Sequence, residues 1–342
     1  MKTLARTAAI ISLALLVLIA LSAHAATIAG VTLVTTTLPM VAHLLAFPLI
    51  VCLGLIFLCL AALAVVALRR GLTGSVSRFW IVFWLGVCAT ALLYGSLLFY
   101  GSGSKTSSLT NQNNVTVLEW NALNSGDPEQ FSDMINQFDP DVFVLPELGD
   151  YATPSGTRLT DLLRQSGNAP ENYSLFTSHS HGEIAPVTVI VKKSLGEYTA
   201  KEGDLATFGS IVLTPRYAKS DLPVIIGIHT APPLPGLMQT WRNDLQRIQQ
   251  YASERSGDRV IIAGDFNAQI YHGSLAELSG YTDSKPSIFG GTWPKSAPSV
   301  LRAHIDHILV SEICKVKASQ YYEVQTSDHI ALVSFISCRT TT

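Results

Sequence analysis

Six short segments carry side chains that can handle a phosphate ester: Trp120-Asn121, Leu145-Pro-Glu147, Ile226-Gly-Ile-His229, Ala263-Gly-Asp-Phe-Asn267, Ile305-Asp-His307 and Ser327-Asp-His329. Each sets an acid, amide or imidazole at or near the end of an apolar, β-rich run. Gathered at one rim, such groups suit a divalent metal and a phosphoryl group. Asp265 is a carboxylate able to orient or deprotonate water. Asn267 is an amide able to donate to non-bridging oxygens as charge develops on them. Asp306 and His329 read as an acid–imidazole pair, in which the carboxylate fixes the tautomer and raises the basicity of the far nitrogen. Taken singly, each residue has a plainer reading. Asn121, Asp265 and Asn267 are common turn formers. Glu147 could be a solvated loop acid, Asp306 and His329 solvated strand-end residues, and His229 a satisfied core histidine.

The elements that must hold these residues are mostly strands. Apolar runs predict strands over Val115–Glu119, Val142–Leu145, Val187–Val191, Ser210–Leu213, Val224–Ile228, Val260–Ala263, Ile305–Val310 and Ile330–Ile336. Helical periodicity appears from Asp127-Pro128 through Phe131, Ile135 and Phe138, over Thr157–Ser166, and over Leu237–Glu254 with Leu237, Trp241, Leu245 and Ile248 as its stripe. Interleaved elements with strands in the majority predict an α/β (α+β) architecture, a two-sheet sandwich flanked by helices. Strand alternation sends His307 to the face opposite Asp306, outside the site. His179, His181 and His304 are expected on surfaces or loops, and Trp293 at the site's edge or in the core.

The first 100 residues differ sharply from the rest. They contain no Asp or Glu, and their only Lys and Arg are Lys2, Arg6, Arg69, Arg70 and Arg78. Beyond them, 18 of the chain's 23 basic residues face all 25 acidic ones, a net charge of −7. Residues 1–100 read as a membrane region with spans at about 8–25, 44–68 and 79–100. The first has a second reading: Lys2 and Arg6 before an apolar run ending Ala23-His24-Ala25 also describe a signal peptide. The arginines between the second and third spans predict a cytoplasmic loop there, so the later domain faces outward. Residues 35–43 read as an outer loop and residues 101–114 as a flexible linker. Residues 115–342 form the extracytoplasmic domain. Cys314 and Cys338 are its only two cysteines, an even count compatible with a disulfide in an oxidising compartment.

The Gly-Asp-Phe-Asn, Ile-Asp-His-Ile and Ser-Asp-His strings occur in this order, with Thr292-Trp293-Pro294 before the second. Over about residues 115–337 the chain therefore resembles the endonuclease/exonuclease/phosphatase superfamily. The resemblance implies a DNase I-like four-layer sandwich and metal-dependent phosphoester hydrolysis. It also implies Glu147, Asn121 and Asp328 at the metal, and Asp265, Asn267, His229, Asp306 and His329 as catalytic residues. Pro146 stands where the family usually has Gln, which removes a side chain but not the carboxylate beside it. The strands next to Cys314 and Cys338 lie close together in that family, which implies a bond between them.

Hard oxygen ligands point to Mg²⁺, with Mn²⁺ or Ca²⁺ as alternatives. The acidic domain, whose only adjacent basic pair is Lys192-Lys193, disfavours long nucleic acid. Spans followed by such a domain resemble membrane-anchored bacterial teicoplanin-resistance (VanJ-like) phosphatases, which implies a multi-pass cell-membrane protein and a lipid-linked phosphate or pyrophosphate as substrate. A membrane-tethered nuclease would use the same residues. A non-catalytic binding or scaffold protein would be expected to have lost some of them. The chain has no Gly-x-Ser-x-Gly elbow, no zinc spacing of Cys and His, and no phosphate-cradling P-loop.

Overall fold

The computed structural model describes residues 2–29, 34–73, 77–100, 114–149, 158–217 and 221–338. The expected linker at 101–114 lies outside these, apart from Asn114. Three helices are long and apolar enough to cross a membrane: α1 (Lys2–Ala29), α3 (Pro48–Thr73) and α4 (Arg78–Ser96). Their outward faces are bare hydrocarbon, with Phe57, Leu72 and Leu92 all exposed, as a lipid-facing helix requires. The short helix α2 (Val41–Ala46) precedes α3. The second span therefore begins at Pro48 rather than Leu44. Proline lacks an N–H and suits a helix's first position, so a new helix starts there. Residues 35–46 are not an open loop. Arg242 donates to the Thr37 carbonyl at 2.8 Å, and the Gly273 amide donates to Thr36 Oγ1 at 2.8 Å.

The remaining chain supplies β1 (Asn114–Glu119), α5 (Pro128–Phe138), β2 (Val142–Leu145), α6 (Leu159–Gln165), β3 (Tyr173–Thr177), β4 (Thr188–Lys192), β5 (Tyr198–Glu202), β6 (Gly209–Pro215), β7 (Val224–His229), α7 (Met238–Ser253), β8 (Val260–Asp265), β9 (Tyr281–Asp283), β10 (Asp306–Ser311), β11 (Cys314–Tyr322) and β12 (Ala331–Cys338). Helix α5 starts where its sequence says it should: Pro128 follows Asp127, whose carboxylate accepts from the Gln130 amide at 3.0 Å. The strands form two six-stranded sheets, ordered β11-β12-β1-β2-β4-β3 and β5-β6-β7-β8-β10-β9. Helices α5 and α6 cover the outer face of the first sheet through Phe131, Met134 and Leu162. Helix α7 covers the second through Trp241, Leu245 and Ile248. The four-layer sandwich is thus present.

Between the sheets lies an aliphatic layer that includes Val115, Val117, Ile225, Ile261, Ala263, Ile308 and Val310. Successive side chains on a strand alternate faces. The next inward positions are Glu119 and Asn121 after β1's valines, His229 on β7, Asp265 on β8 and Asp306 on β10. The aliphatic layer therefore ends at one rim in polar groups.

Cys314 and Cys338 are bonded, their Cα atoms 4.0 Å apart. They are direct partners across β11 and β12. Strand β10, which carries Asp306, belongs to the other sheet, so the bond ties an edge strand to its neighbour instead of joining β10 to β12. Cys338→Ser is expected to lower unfolding free energy by about 2–4 kcal/mol. Denaturant titration would show this; unchanged stability would make the pair merely two small buried residues.

Candidate active site

Register assembles the site. His229 pairs with Asp265 across parallel β7 and β8, and Asp265 pairs with Asp306 across antiparallel β8 and β10. Three chemically active side chains therefore stand in one row on adjacent strands. Gly264 permits this closeness, because at its φ of 142° a Cβ would sit 1.9 Å from the Ile228 carbonyl oxygen. The facing sheet contributes Asn121 and Glu147. Asn121 Nδ2 donates to Glu147 Oε1 at 3.0 Å and to Asp265 Oδ2 at 3.1 Å, bridging the two sheets. His229 Nε2 lies 3.7 Å from each of those oxygens. The loop before β12 brings His329, whose Nδ1 is 2.9 Å from Asp306 Oδ2 and whose Nε2 is 3.9 Å from Asp265 Oδ2. Ser327 Oγ fixes that loop by donating to the Asn121 carbonyl at 2.6 Å and accepting from the His329 amide at 3.0 Å.

Two predicted residues stand slightly apart. Asn267 lines the cleft with one amide hydrogen committed to the Thr230 carbonyl at 3.0 Å; its backbone N–H donates to Asp265 Oδ1 at 2.7 Å. Asp328 is half exposed and accepts from Trp293 Nε1 at 3.0 Å. That bond places Trp293 at the site's edge. Glu147 and Asn267 have φ values of 54° and 47°. For Glu147 this is a strained backbone, held by its carbonyl accepting from Asn124 and by the next amide, Leu148, donating to Pro186.

Glu119 is a site neighbour that the motifs did not announce. It is fully buried, and its carboxyl group faces those of Asp306 and Asp265. Burial, then the carboxylates of Asp306 and Asp265, raise its pKa well above the ordinary carboxylate range. The alternation through Val115 and Val117 was its sequence signal.

Charge is distributed unevenly over the cluster. Burial and then Asp306 push Asp265 up to about 7, against the pull of His329. Burial also opposes ionisation of His329, but Asp306 overcomes it and raises the imidazole to about 9. Asp306 is held below the ordinary carboxylate range because His329 outweighs its burial. Burial, then the charge on His329, lowers His229 to about 3, leaving it neutral. Its Nδ1 meets no partner among the described residues, whereas Nε2 faces two carboxylates. A neutral ring therefore satisfies more contacts with its proton on Nε2.

The donor set fits a hard cation. Among the described residues, the bases within 4.0 Å of Glu147, Asp265, Asp306 or Asp328 are imidazoles only. Carboxylates gathered this closely need a compensating positive charge, and oxygen ligands suit Mg²⁺, Mn²⁺ or Ca²⁺. Ligand atoms of Asp265, Asp306 and His329 lie within 4.8 Å of one another.

A second such group, Asp283, His304 and His307, is a buried ion pair instead. His307 Nδ1 lies 2.9 Å from Asp283 Oδ2, and Nε2 lies 2.8 Å from the Ala268 carbonyl. Only an imidazolium donates from both nitrogens. Burial opposes that charge, yet Asp283 raises the pKa of His307, while Asp283 is held far below its usual range by His307 and His304 despite its own burial. His304, expected on a surface, is 1% exposed, its Nε2 3.3 Å from the same carboxylate. Sequence reasoning missed this because the partner, Asp283, sits on edge strand β9. Asp283→Ala strands a buried cation and should cost about 3–5 kcal/mol. The contribution is fully present between about pH 4 and 6.5. It fades as pH rises through the raised pKa of His307 and as pH falls through the lowered pKa of Asp283. Denaturant titration at pH 6 measures it; a loss under about 1 kcal/mol would contradict the charged pair.

The sequence model of the Endonuclease/Exonuclease/phosphatase family matches residues 118–329, a stretch that runs from β1 through His329. The chain belongs to this family. Members of the endonuclease/exonuclease/phosphatase family are hydrolases of phosphoesters and generally depend on a divalent metal. Solved structures similar to the chain include a family protein from Bacteroides thetaiotaomicron, at 16% identity and TM-score 0.48, covering 66% of this chain and 95% of that one. The human Nocturnin catalytic domain is 17% identical with TM-score 0.48, over 66% of this chain and 94% of its own. A mannosyl-6-phosphatase from Bacteroides thetaiotaomicron is 16% identical with TM-score 0.48, over 65% and 99%. No curated protein matches the chain by sequence.

Proposed function

We propose that this chain is a membrane-anchored, outward-facing, Mg²⁺-dependent phosphoester hydrolase acting on a lipid-linked phosphate or pyrophosphate. The observation that carries the substrate class is the placement of the catalytic rim against the ends of the candidate spans. Gln269 Nε2 donates to the Ala46 carbonyl at 2.8 Å, Tyr271 Oη to the Leu45 carbonyl at 2.7 Å, and Lys285 Nζ to the Leu98 carbonyl at 3.2 Å. The domain thus rests where spans two and three meet it. The layout's resemblance to the teicoplanin-resistance phosphatases supports the same substrate.

Glu147 and Asn121 would hold the metal, with Asp328 a further oxygen donor. A bound Mg²⁺ supplies Lewis-acid stabilisation of charge developing on the phosphoryl oxygens. Asp265 orients the attacking water and takes its proton. The second amide hydrogen of Asn267 and Nε2–H of His229 donate to non-bridging oxygens. Asp306 orients His329 as an imidazolium, whose Nε2–H stabilises the phosphoryl charge or protonates the leaving oxygen.

The arginines support the orientation. Arg6 Nη2 donates to Ser77 Oγ at 3.3 Å, bringing the start of α1 to the loop between α3 and α4. At the other end His24 Nδ1 lies 2.8 Å from Tyr100 Oη, whose ring neighbours that of Tyr271. Basic residues and catalytic domain thus occupy opposite ends of the bundle, which supports a cytoplasmic arginine end. The packing of His24 also supports an uncleaved first span.

Protease added to intact spheroplasts should remove the catalytic domain; protection until the membrane is broken would refute the orientation. Activity is tested by presenting the full chain and Mg²⁺ with prenyl phosphates and pyrophosphates, soluble phosphoesters, DNA and RNA. Lipid-linked esters should be cleaved fastest. Preferential cleavage of nucleic acid would establish the nuclease reading instead.

A further inference from the structure

We infer that the segment between the first and second spans, Val41–Phe47, is a working wall of the active site, and that Phe47 selects substrates whose phosphate carries a long hydrocarbon chain. The inference rests on the lipid-linked reading above and assigns the residues that recognise the lipid.

Helix α2 is fixed to the catalytic domain, not loosely apposed to it. Its inner side is buried in two places: Ala42 among the Trp241, Leu245 and Phe266 cluster, and Leu45 against Tyr271. The Leu45 and Ala46 carbonyls accept the hydrogen bonds from Tyr271 and Gln269. With its inner side so held, the segment turns His43, Ala46 and Phe47 to the cleft that contains Glu147, Asp265 and His329. That cleft, about 320 Å³, has no Lys or Arg among its lining residues. A polyanionic ligand would find no basic track there. A hydrocarbon would find a path.

The path is a row of rings. Trp293 lies 6.5 Å from His329, centroid to centroid, and Phe47 lies 6.3 Å from Trp293. The next residue, Pro48, begins the span Pro48–Leu72. A chain esterified to a phosphate at His329 meets Trp293, then Phe47, then the end of a membrane helix. Apolar side chains Phe208 and Ile184 also line the cleft. The tail of a membrane lipid can therefore stay on apolar surface from bilayer to scissile bond, and only its phosphate need leave the interface.

The test compares esters differing only in chain length, dimethylallyl and farnesyl, each as monophosphate and diphosphate. The full chain is assayed in detergent or nanodiscs with Mg²⁺. The unaltered protein should show a higher kcat/KM for the farnesyl ester. Phe47→Ser should lower the farnesyl-to-dimethylallyl ratio by about tenfold or more, mainly through KM, the scale at which apolar pockets discriminate. A purely structural role for Phe47 would lower melting temperature and leave that ratio intact. An unchanged ratio in a folded Phe47→Ser protein, with the farnesyl preference present in the unaltered one, overturns this inference and leaves the lipid-linked reading standing. No farnesyl preference in the unaltered protein overturns the lipid-linked reading itself. Photolabelling of the unaltered chain with a farnesyl phosphate bearing a diazirine near its first isoprene unit gives an independent readout. Label on the peptide containing Phe47 supports the wall, whether or not the variant folds; label confined to other segments overturns it.

Discussion

Asp265→Asn is expected to keep the fold and remove most of the turnover. The substitution retains shape and the possibility of accepting from the Asn267 amide and Asn121, but it removes the carboxylate proposed to take a proton from water. General acid–base groups contribute about 10²–10⁴-fold, so the loss should fall in that range. His329→Ala should fall on the same scale, because both groups are proposed to act on one phosphoryl transition state. The charge balance adds a second observable. The folded-state pKa of Asp265 is raised to about 7 by burial and by Asp306. A raised carboxyl pKa means the ionised form opposes folding. Without metal, stability is lost as pH climbs from the unfolded carboxyl pKa toward that value. Asp265→Asn should therefore melt at the same temperature as the unaltered chain or higher in chelator at pH 8. Folded Asp265→Asn and His329→Ala proteins that both retain rates within about tenfold of normal would defeat the enzymatic reading.

Glu147→Gln should separate metal binding from proton chemistry. Glu147 is 22% exposed on its side chain and faces the cleft, with Asn121 donating to it. Replacing its carboxylate by an amide lowers attraction for a divalent cation while leaving Asp265 in place. Activity at limiting Mg²⁺ should fall by about 10–100-fold, the scale on which changes at a metal site act, and should recover substantially at high Mg²⁺. Isothermal titration with Mg²⁺ should show the weakened affinity directly. Unchanged Mg²⁺ affinity would remove Glu147 from the metal site; an activity loss that no concentration of metal restores would move it into the proton chemistry.

The eight strands that apolar runs revealed are the eight inner strands of the two sheets. The four that escaped, β3, β5, β9 and β11, are all four sheet edges. The reason is physical. An inner strand is covered by neighbours and by both layers, so it must be apolar nearly throughout. An edge strand has one neighbour and one open side, and carries polar residues that discourage further pairing. Strand β5, Tyr198–Glu202, is exposed from its second residue onward, and β11 carries Lys315 and Lys317 in its first half. Because β9 was invisible, Asp283 was too, and with it the reason His304 and His307 are buried.

Sequence by itself determined the chemistry on offer. The Gly-Asp-Phe-Asn, Ile-Asp-His and Ser-Asp-His strings, the first ending an apolar run and the other two opening or preceding one, name the acids, amides and imidazoles, and period-2 alternation separates Asp306 from His307. Those are local properties, set by neighbouring residues on one strand. Tertiary structure decided which of them meet. His229, Asp265 and Asp306 stand in one row because β7, β8 and β10 hydrogen-bond in one register, and a slip of one residue would turn any of them to the other face. Glu119 became part of the site only when β1 stacked over that row. The segment before Pro48 became a wall of the cleft through bonds such as Tyr271 to Leu45, 226 residues apart. No pattern within a segment encodes such contacts, because they depend on where two separately folded surfaces come to rest against each other.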